Sequence, residues 1–325
     1  MCVNKVFDEG YTVSSFKTGT VGDVTLISGT VAGKPAQRVV KKQKKWERPG
    51  DRDSWRREYD LYSADLGWVF SEDFRWPICY DAGIENDETT LWLEYIEGVT
   101  GDDLTVDMFE AIAFALGRFQ GKIYAMDEFC LIDNLSKPDA MERFYGQNMT
   151  NEKIRDYMNS DDCHLPSELC EMMFEIDKRA DEVWAEIKKL PLVLCHRDFF
   201  PPNIFYVDGC VVVIDWDSAG YGYLGEDLVG LIGEANDLDC MVENFERCVP
   251  AYLKGFAEGS GLVFQNAYVY ERLVMHMGYM AVNPLTWRGD AKTVEQKKWD
   301  LAVMEKIYEM KGKFKENLEV FCNDG

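Results

Sequence analysis

The sequence is poor in histidine, and it lacks both metal-binding cysteine pairs and long apolar runs. Only three histidines occur in 325 residues, and none of the ten cysteines forms a CxxC pair, so a structural zinc site is not expected. No stretch approaches the ~18 apolar residues that a membrane helix needs, and the first residues lack a basic segment followed by an apolar one. We therefore expect a cytoplasmic protein with reduced thiols and no membrane partner.

Basic residues are scarce relative to acidic ones. The 35 lysines and arginines stand against 58 aspartates and glutamates, which gives a net charge of −23. Such a charge repels the phosphate backbone of nucleic acids and favours cationic partners. Acidity can equally serve solubility alone. We expect no nucleic-acid partner.

The first hundred residues carry the pattern of strands. Residues 24–27 and 37–42 flank a turn-forming stretch at 32–35, which predicts a hairpin. A second hairpin is predicted from residues 78–80 and 90–96, which are separated by a polar stretch. One helix is expected between the hairpins, with Asp53 or Ser54 at its start. Its apolar stripe, at helical spacing, consists of Trp55, Tyr59, Tyr62 and Leu66.

After Gly98 the apolar residues change to helical spacing. Two stripes are expected to face a core, and a hairpin at 204–214 interrupts the helices. Its Asp208-Gly209 pair is what a type I′ turn requires. A chain of this length and pattern predicts a small β-rich lobe, a larger helical lobe and a cleft between them. The stripes consist of Val106, Phe109, Ala113, Leu116, Phe119 and Ile123, and of Leu169, Met173, Ile176, Ala180, Val183 and Ile187.

The residues on either side of this hairpin carry the chemistry. His196 to Asn203 have the form H-R-D-x-x-x-x-N, and Asp215 follows the second strand. The tight turn returns Asp198, Asn203 and Asp215 to one end of the ribbon. The Asn203 amide oxygen and the Asp215 carboxylate are hard donors suited to Mg²⁺. Asp198 is then left to orient a hydroxyl and accept its proton.

This pattern resembles the aminoglycoside phosphotransferase and choline kinase superfamily. The resemblance rests on the motif above, on Asp215 with Asp217, and on Asp227-Leu228-Val229. It implies an α+β, protein-kinase-like bilobal fold. Residues 1–98 would form a nucleotide-binding N-lobe with a hinge at about 94–98, and residues 99–325 a helical C-lobe with the catalytic loop, metal site and acceptor pocket.

The resemblance also implies roles for single residues. Asp198 would be the catalytic base, and Asn203 and Asp215 would hold Mg²⁺. Asp227 would support the catalytic loop, and His196 would be structural. Arg197 stands where glycine is common in antibiotic kinases, and without a phosphorylatable loop to pair with, it would brace the site.

A polyphosphate needs a fixed cation, and strand 37–42 offers two candidates. Lys41 is preferred over Lys42, but the alternation of faces leaves the register open. Glu58 lies on the inward stripe of the following helix and would pair with Lys41. The alternative is a solvated basic edge, which suits Lys44 and Lys45.

The other nucleotide contacts are predicted less directly. Gly19 and Gly22 could let backbone amides approach phosphate, or they could form an ordinary turn. The segment 93–98 resembles the hinge of the superfamily. There the Glu94 carbonyl and the Ile96 N–H would hold adenine or guanine.

The acceptor is expected to be small, because the chain lacks the activation segment and Ala-Pro-Glu anchor of protein kinases. Only ten residues separate Asp215 from Glu226. By the resemblance, helices after Asp227 would build the acceptor pocket. Carboxylates there would bind an ammonium group, and aromatic rings would face a cation. The candidates are Asp217, Glu234, Asp237, Asp239, Tyr279 and Trp287, although the acidic ones could instead form a solvated helix end.

These features together predict a Mg²⁺-dependent phosphotransferase. It would move the γ-phosphoryl group of ATP or GTP to a hydroxyl of a small, cationic, aminoglycoside-type acceptor. One alternative is a metabolic kinase for choline, ethanolamine, homoserine or an amino sugar. Another is a nucleotide-binding pseudokinase, against which the joint presence of Asp198, Asn203 and Asp215 argues.

Overall fold

The N-terminal part of the protein is built on an antiparallel sheet. The computed structural model describes residues 7–8, 10–15, 22–46, 48, 50–64, 66–126, 133–149, 152–235, 237–286 and 290–313. Five strands form this sheet in the order β1-β2-β3-β6-β5. They are β1 (Thr12–Ser15), β2 (Asp23–Val31), β3 (Lys34–Lys44), β5 (Cys79–Glu85) and β6 (Glu88–Glu94).

Both predicted N-terminal hairpins are confirmed, and their turns explain the pairing. Ala32 and Gly33 have φ of 50° and 71° between β2 and β3, and Asn86 and Asp87 have φ of 51° and 59° between β5 and β6. Two consecutive positive φ angles are typical of the type I′ turn, whose twist matches that of paired strands. The β2–β3 register places Lys41 opposite Val24.

Helix α1 (Ser54–Ser63) follows the first hairpin and contacts β3, β5 and β6. The predicted stripe extends too far, because Leu66 lies in a separate 3-10 helix, Leu66–Val69. The predicted N-cap position is confirmed, but the side-chain capping bond is not formed. Asp53 is the N-cap residue without a side-chain hydrogen bond to the helix, and the Ser54 hydroxyl is buried without a partner among the described residues.

Two small sheets carry the loops of the second half. Strands β4 (Phe74–Arg75), β10 (Cys210–Val213), β9 (Ile204–Val207) and β7 (Val99–Thr100) form one sheet in that order. The predicted hairpin is its β9–β10 pair, and Asp208 and Gly209 have φ of 49° and 88° in its turn. Strands β8 (Leu192–Cys195) and β11 (Gly220–Tyr223) form the other sheet.

Helices dominate the rest of the described chain. One predicted stripe forms the continuous helix α2, but the stripe from Leu169 to Ile187 is divided between two helices at Lys178 and Arg179. No helix within the described ranges is long and apolar enough to cross a membrane. The helices are α2 (Val106–Tyr124), α3 (Ala140–Met149), α4 (Glu152–Met158), α5 (Ser167–Asp177), α6 (Ala180–Ile187), α7 (Leu228–Gly233), α8 (Met241–Ser260), α9 (Val269–Val282) and α10 (Val294–Glu309).

The largest hydrophobic core of the described residues runs through the helical part of the chain and includes the crossing of α2 and α8. Glycines allow the two backbones to touch, because a Cβ on Gly117 would overlap the Tyr252 carbonyl oxygen, and a Cβ on Gly255 would overlap the Phe114 carbonyl oxygen. The Tyr252 hydroxyl in turn donates to the Gln120 side chain at 2.5 Å. This crossing therefore sets the position of Gln120, which reaches the candidate site.

Candidate active site

A buried carboxylate fixes the loop that follows β8. Asp227 accepts hydrogen bonds from the backbone N–H of His196 at 2.9 Å and of Arg197 at 2.8 Å, and from Gln120 Nε2 at 3.0 Å. Burial raises the pKa of Asp227 to about 6, although these backbone bonds oppose the shift. Asp227 thus lies next to the H-R-D motif, and the three hydrogen bonds that it accepts hold the loop in place.

The His196 ring ties this loop to the end of the β9–β10 hairpin. Its Nε2 lies 3.0 Å from the Ile214 carbonyl oxygen, and its Nδ1 accepts from the Asp198 backbone N–H at 3.3 Å. Only the neutral tautomer with its proton on Nε2 satisfies both bonds. Burial lowers the pKa of His196 to about 4, which keeps the ring neutral.

Asp198 and Asn203 are adjacent, as the motif predicts. The Asn203 Nδ2 donates to Asp198 Oδ2 at 3.1 Å and to the Asp198 carbonyl oxygen at 3.0 Å. Burial, together with the negative charges of Asp215, Asp217 and Glu234, raises the pKa of Asp198 to about 7, whereas the Asn203 hydrogen bond lowers it. A carboxylate with such a pKa suits general base chemistry near neutral pH.

Lys41 joins the sheet to the opposite side of the same site. Its Nζ lies 2.6 Å from Glu58 Oε2 and 2.5 Å from Asp215 Oδ1. Lys42 is exposed on the other face of β3, so the register left open by the sequence is resolved in favour of Lys41. Burial lowers the pKa of Lys41, but the charges of Glu58, Asp215 and Asp217 raise it by more, and the lysine is charged.

Glu58 and Asp215 differ in their access to the cleft. The Glu58 side chain is 4% exposed, and it also accepts from the Trp216 backbone N–H at 3.3 Å. The Asp215 side chain is 40% exposed, and Asp215 adopts a left-handed conformation with φ of 67°. Lys41 lowers the pKa of Asp215 against the effect of burial. Glu58 therefore holds the lysine from behind, while Asp215 faces the cleft.

Asp215 and Asn203 each offer one oxygen atom that suits a divalent cation such as Mg²⁺. Among the described residues, Asp215 Oδ2 and Asn203 Oδ1 make no hydrogen bond, since Lys41 takes the other oxygen of Asp215 and Asp198 takes the nitrogen of Asn203. The same part of the chain contains no cluster of three or more His, Cys, Asp or Glu side chains that could hold a metal alone. Mg²⁺ needs no such cluster, because substrate phosphates and water complete its shell.

The predicted nucleotide contacts differ in how far the structure supports them. The Ile96 N–H has no hydrogen-bond partner among the described residues. The Glu94 side chain, which is not the predicted contact, is held away by Arg75 at 2.6 Å and by the Ile78 N–H at 3.0 Å, and the Glu94 carbonyl stays a prediction. A Cβ on Gly22 would lie 2.6 Å from the Lys42 carbonyl oxygen, so packing alone explains this glycine. Gly19 lies outside the described residues.

A cavity of about 690 Å³ opens beside Asp198. Of the predicted acceptor residues only Glu234 lines it, and burial raises the pKa of that carboxyl group. The other candidates point elsewhere or are not described. The Asp237 carboxylate caps the Asp239 N–H at 3.0 Å, and Tyr279 is bound to Asn283 at 3.1 Å. Asp217 accepts from Ser218 at 2.9 Å outside the cavity lining, and Trp287 lies outside the described residues.

Sequence reasoning missed the buried Arg57, which together with Arg197 holds the wall of this cavity. Arg57 donates from Nε to the Asn134 carbonyl oxygen at 2.7 Å and from Nη1 to the Asp217 carbonyl oxygen at 2.7 Å. Arg197 has φ of 67° and pairs with Glu226 at 2.8 Å. Arg197 was expected to brace the site, but no local pattern indicates that its partners include residues 136 and 137.

Known proteins share sequence features and the fold with this chain. The family model described as "Phosphotransferase enzyme family" (APH) matches residues 59–268. No curated protein sequence matches the chain. A thermostable mutant of aminoglycoside phosphotransferase APH(4)-Ia, solved with AMP-PNP and hygromycin B, is similar in structure at 16% identity, with 95% of this chain and 97% of that chain covered and a TM-score of 0.56.

Two further solved structures share the fold. The amicoumacin kinase hAmiN, in complex with AMP-PNP, Ca²⁺ and Ami, is 15% identical, with 91% of this chain and 88% of that chain covered and a TM-score of 0.57. Choline kinase from Cryptosporidium parvum Iowa II is 13% identical, with 95% of this chain and 90% of that chain covered and a TM-score of 0.56. The expected α+β, protein-kinase-like fold is confirmed.

Proposed function

The chain belongs to the phosphotransferase enzyme family and is a phosphotransferase, and we propose that it transfers the γ-phosphoryl group of ATP or GTP to a hydroxyl of a small molecule. The observation that carries the proposal is the convergence of two pairs. Asp198 and Asn203 meet at one side of the site, and Lys41 and Asp215 meet at the other. A pure binding module needs no carboxylate with a pKa of about 7 at the acceptor cavity, which argues against a pseudokinase.

Asp198 acts as the base in this proposal. It lines the cavity that would hold the acceptor, and its carboxylate would orient the hydroxyl and accept its proton as the oxygen attacks. The new bond forms between the acceptor oxygen and the γ-phosphorus, and the bond from that phosphorus to the β,γ-bridging oxygen breaks. The nucleoside diphosphate leaves with the electron pair of that bond.

Lys41 would neutralise the phosphates of the nucleotide. Its ammonium is held by the buried Glu58, so a phosphate would compete only with Asp215 for it. Asn203 and Asp215 would hold Mg²⁺, and the bound ion would supply charge neutralisation to the phosphoryl oxygens. Mg²⁺ and the choice between ATP and GTP are part of the proposal. Neighbouring structures contain AMP-PNP, in one case with Ca²⁺.

The nucleotide base would lie at the segment after β6. The free Ile96 N–H supports this placement, with the Glu94 carbonyl as its acceptor counterpart. The boundary between a nucleotide lobe at 1–98 and a helical lobe at 99–325 belongs to the same proposal, as does a cytoplasmic location, where both triphosphates are available.

The acceptor would carry an amine. Glu234 and Asp198 make the inner end of the cavity acidic, and the net charge of the chain attracts cations. Neighbours of this fold act on antibiotics or on choline, so an aminoglycoside-type acceptor and a metabolic amino alcohol are both included in the test.

A coupled assay of ADP or GDP release tests the proposal. The wild type and Asp198→Asn would be incubated with Mg²⁺ and each triphosphate across aminoglycosides, choline, ethanolamine and homoserine. Asp161→Asn, an exposed carboxylate outside the cavity, is the matched control. We expect acceptor-dependent release that Asp161→Asn retains and Asp198→Asn loses. Equal release by the wild type and Asp198→Asn would contradict the assignment.

A further inference from the structure

The cavity beside Asp198 has two ends of opposite charge. Asp198 and Glu234 line its partly buried inner part, where the charge of Glu234 acts on Asp198. Four cationic side chains line the cavity. Two come from the segment before α1, and two come from the segment that contains the start of α3. Of the remaining charged residues of the lining, Arg57 pairs with Asp51 and Arg197 pairs with Glu226. The four cations are Arg48, Arg52, Lys137 and Arg143.

Two of these cations have no countercharge. In the part of the chain that the structure describes, the Arg52 guanidinium and the Lys137 ammonium make no hydrogen bond or ion pair, and both residues are exposed. Arg143 is paired only with Asp139, one turn earlier on the same segment, at 2.9 Å. Asp51 and Asp53 flank Arg52 in the lining, and Asp51 is paired with Arg57.

The two basic segments also approach each other. The Arg143 Nη1 atom lies 3.6 Å from the position that a Cβ on Gly50 would take, and Arg52 is two residues farther along that loop. Cations gathered from separate segments repel one another unless an anion lies between them. Arg48 is less available, because it donates to Ser218 at 2.9 Å and lies 3.5 Å from Asp217.

The wall that carries Lys137 is rigidly built. Arg197, 10% exposed, donates to the Lys137 carbonyl oxygen at 2.8 Å and also to the Ser136 hydroxyl. Ser136 forms a parallel bridge with Gly220, beside the catalytic loop. The donors of the buried Arg197 guanidinium are used in these hydrogen bonds. Arg197 therefore positions Lys137 at the opening and does not bind a ligand itself. Such preorganisation reduces the cost of ordering a binding group.

We propose that the acceptor also carries an oxyanion, a carboxylate or a phosphate, which Arg52, Lys137 and Arg143 bind at the opening while the hydroxyl lies at Asp198. This inference rests on the proposed function. It makes the acceptor a zwitterionic hydroxyl compound, with its amine toward Glu234. The nucleotide phosphates are not this oxyanion, because neither Lys41 nor Asp215 lines the cavity.

Equilibrium binding of two simple anions tests the inference without knowledge of the acceptor. Inorganic phosphate and acetate would be titrated into the full chain in the presence of Mg²⁺ and saturating AMP-PNP, which fills the nucleotide site. We expect binding of at least one anion to the wild type in the millimolar range, weakened about fivefold or more in the Arg52→Gln/Lys137→Gln variant. The stronger anion identifies phosphate or carboxylate as the bound group.

Lys34→Gln is the matched control, because Lys34 is an exposed lysine at the start of β3 and does not line the cavity. It should bind both anions as the wild type does. Absence of wild-type binding, or equal binding by the double variant, would overturn the inference. Asp198→Asn should retain anion binding, so loss of phosphoryl transfer and loss of anion binding report separately on the proposed function and on this inference.

Discussion

The Lys41 ammonium lies 2.5 Å from Asp215 Oδ1, although 174 positions separate the two residues in the sequence. This contact joins β3 of the five-stranded sheet to the end of the β9–β10 hairpin. Because Glu58 holds the same ammonium from its buried side at 2.6 Å, the lysine is fixed at the point where both parts of the molecule meet. A phosphate that enters the cleft would find a cation already oriented.

Loss of this cation should impair catalysis far more than folding. For Lys41→Gln we expect kcat/KM for phosphoryl transfer to fall about a hundredfold or more, because a preorganised charge at the phosphates is lost. Lys44→Gln removes an exposed lysine of the same strand and should change kcat/KM less than twofold. Steady-state kinetics with varied nucleotide would measure both. Similar activity of the two variants would exclude Lys41 from the site.

Arg197 is expected to contribute to stability despite its unfavourable backbone. Glycine would relieve the strain of a φ of 67°, but Arg197→Gly leaves the Glu226 carboxylate, 5% exposed, without its ion-pair partner. An unpaired buried charge costs about 3 kcal/mol or more, so the net loss of unfolding free energy should be about 2 kcal/mol. Urea unfolding would measure it.

The double variant Arg197→Gly/Glu226→Gln controls for this explanation. Neutralising Glu226 should recover part of the lost stability, since the carboxylate that had paired with Arg197 no longer carries a charge. A double variant whose loss equals the sum of the two single losses would show that the pair is not coupled.

Protonation of His196 should destabilise the protein in acid. Burial lowers its pKa from 6.5 to about 4, so the unfolded state binds more protons between these pH values. The stabilising contribution is complete above pH 6.5 and is lost as pH falls toward 4, by about 3 kcal/mol in total. In His196→Gln, the slope of unfolding free energy against pH in this window should decrease by about 1.4 kcal/mol per pH unit. An unchanged slope would mean that His196 is not the titrating group.

The α2–α8 crossing offers a test of the fold itself. Gly117→Ala would force a methyl group against the Tyr252 carbonyl oxygen, so we expect a loss of about 2 kcal/mol despite the better helix propensity of alanine. Gly146→Ala is the matched change in α3, where the added methyl group meets no atom within 4 Å. That variant should be as stable as the wild type or slightly more stable. Equal effects of the two changes would contradict the close crossing.

Local patterns predicted the turns, the strands and the catalytic motif, because those features depend on neighbours in sequence. The Asp208-Gly209 turn is an example, since its two residues favour positive φ on their own. Even the choice between Lys41 and Lys42 could be made only from the folded structure, because a register shift of one residue exchanges the two faces of a strand.

The acceptor cavity could not be predicted in this way. Its wall depends on bonds such as Arg57 to Asn134 and Arg197 to the Lys137 carbonyl oxygen, which join residues 60 or more positions apart. Asp237 and Tyr279 were predicted from the family resemblance and from their residue types, but the first caps a local turn and the second is bound to Asn283. Contacts between distant segments decide which polar side chains reach a cavity.

The most direct test of the account compares nucleotide binding with phosphoryl transfer in Asp198→Asn. Asparagine keeps the size of the side chain but cannot accept the proton of the acceptor hydroxyl. The account predicts a dissociation constant for Mg²⁺·AMP-PNP within about twofold of the wild type, and a transfer rate reduced about a thousandfold or more. Transfer within tenfold of the wild-type rate, with the nucleotide bound equally well, would contradict Asp198 as the base.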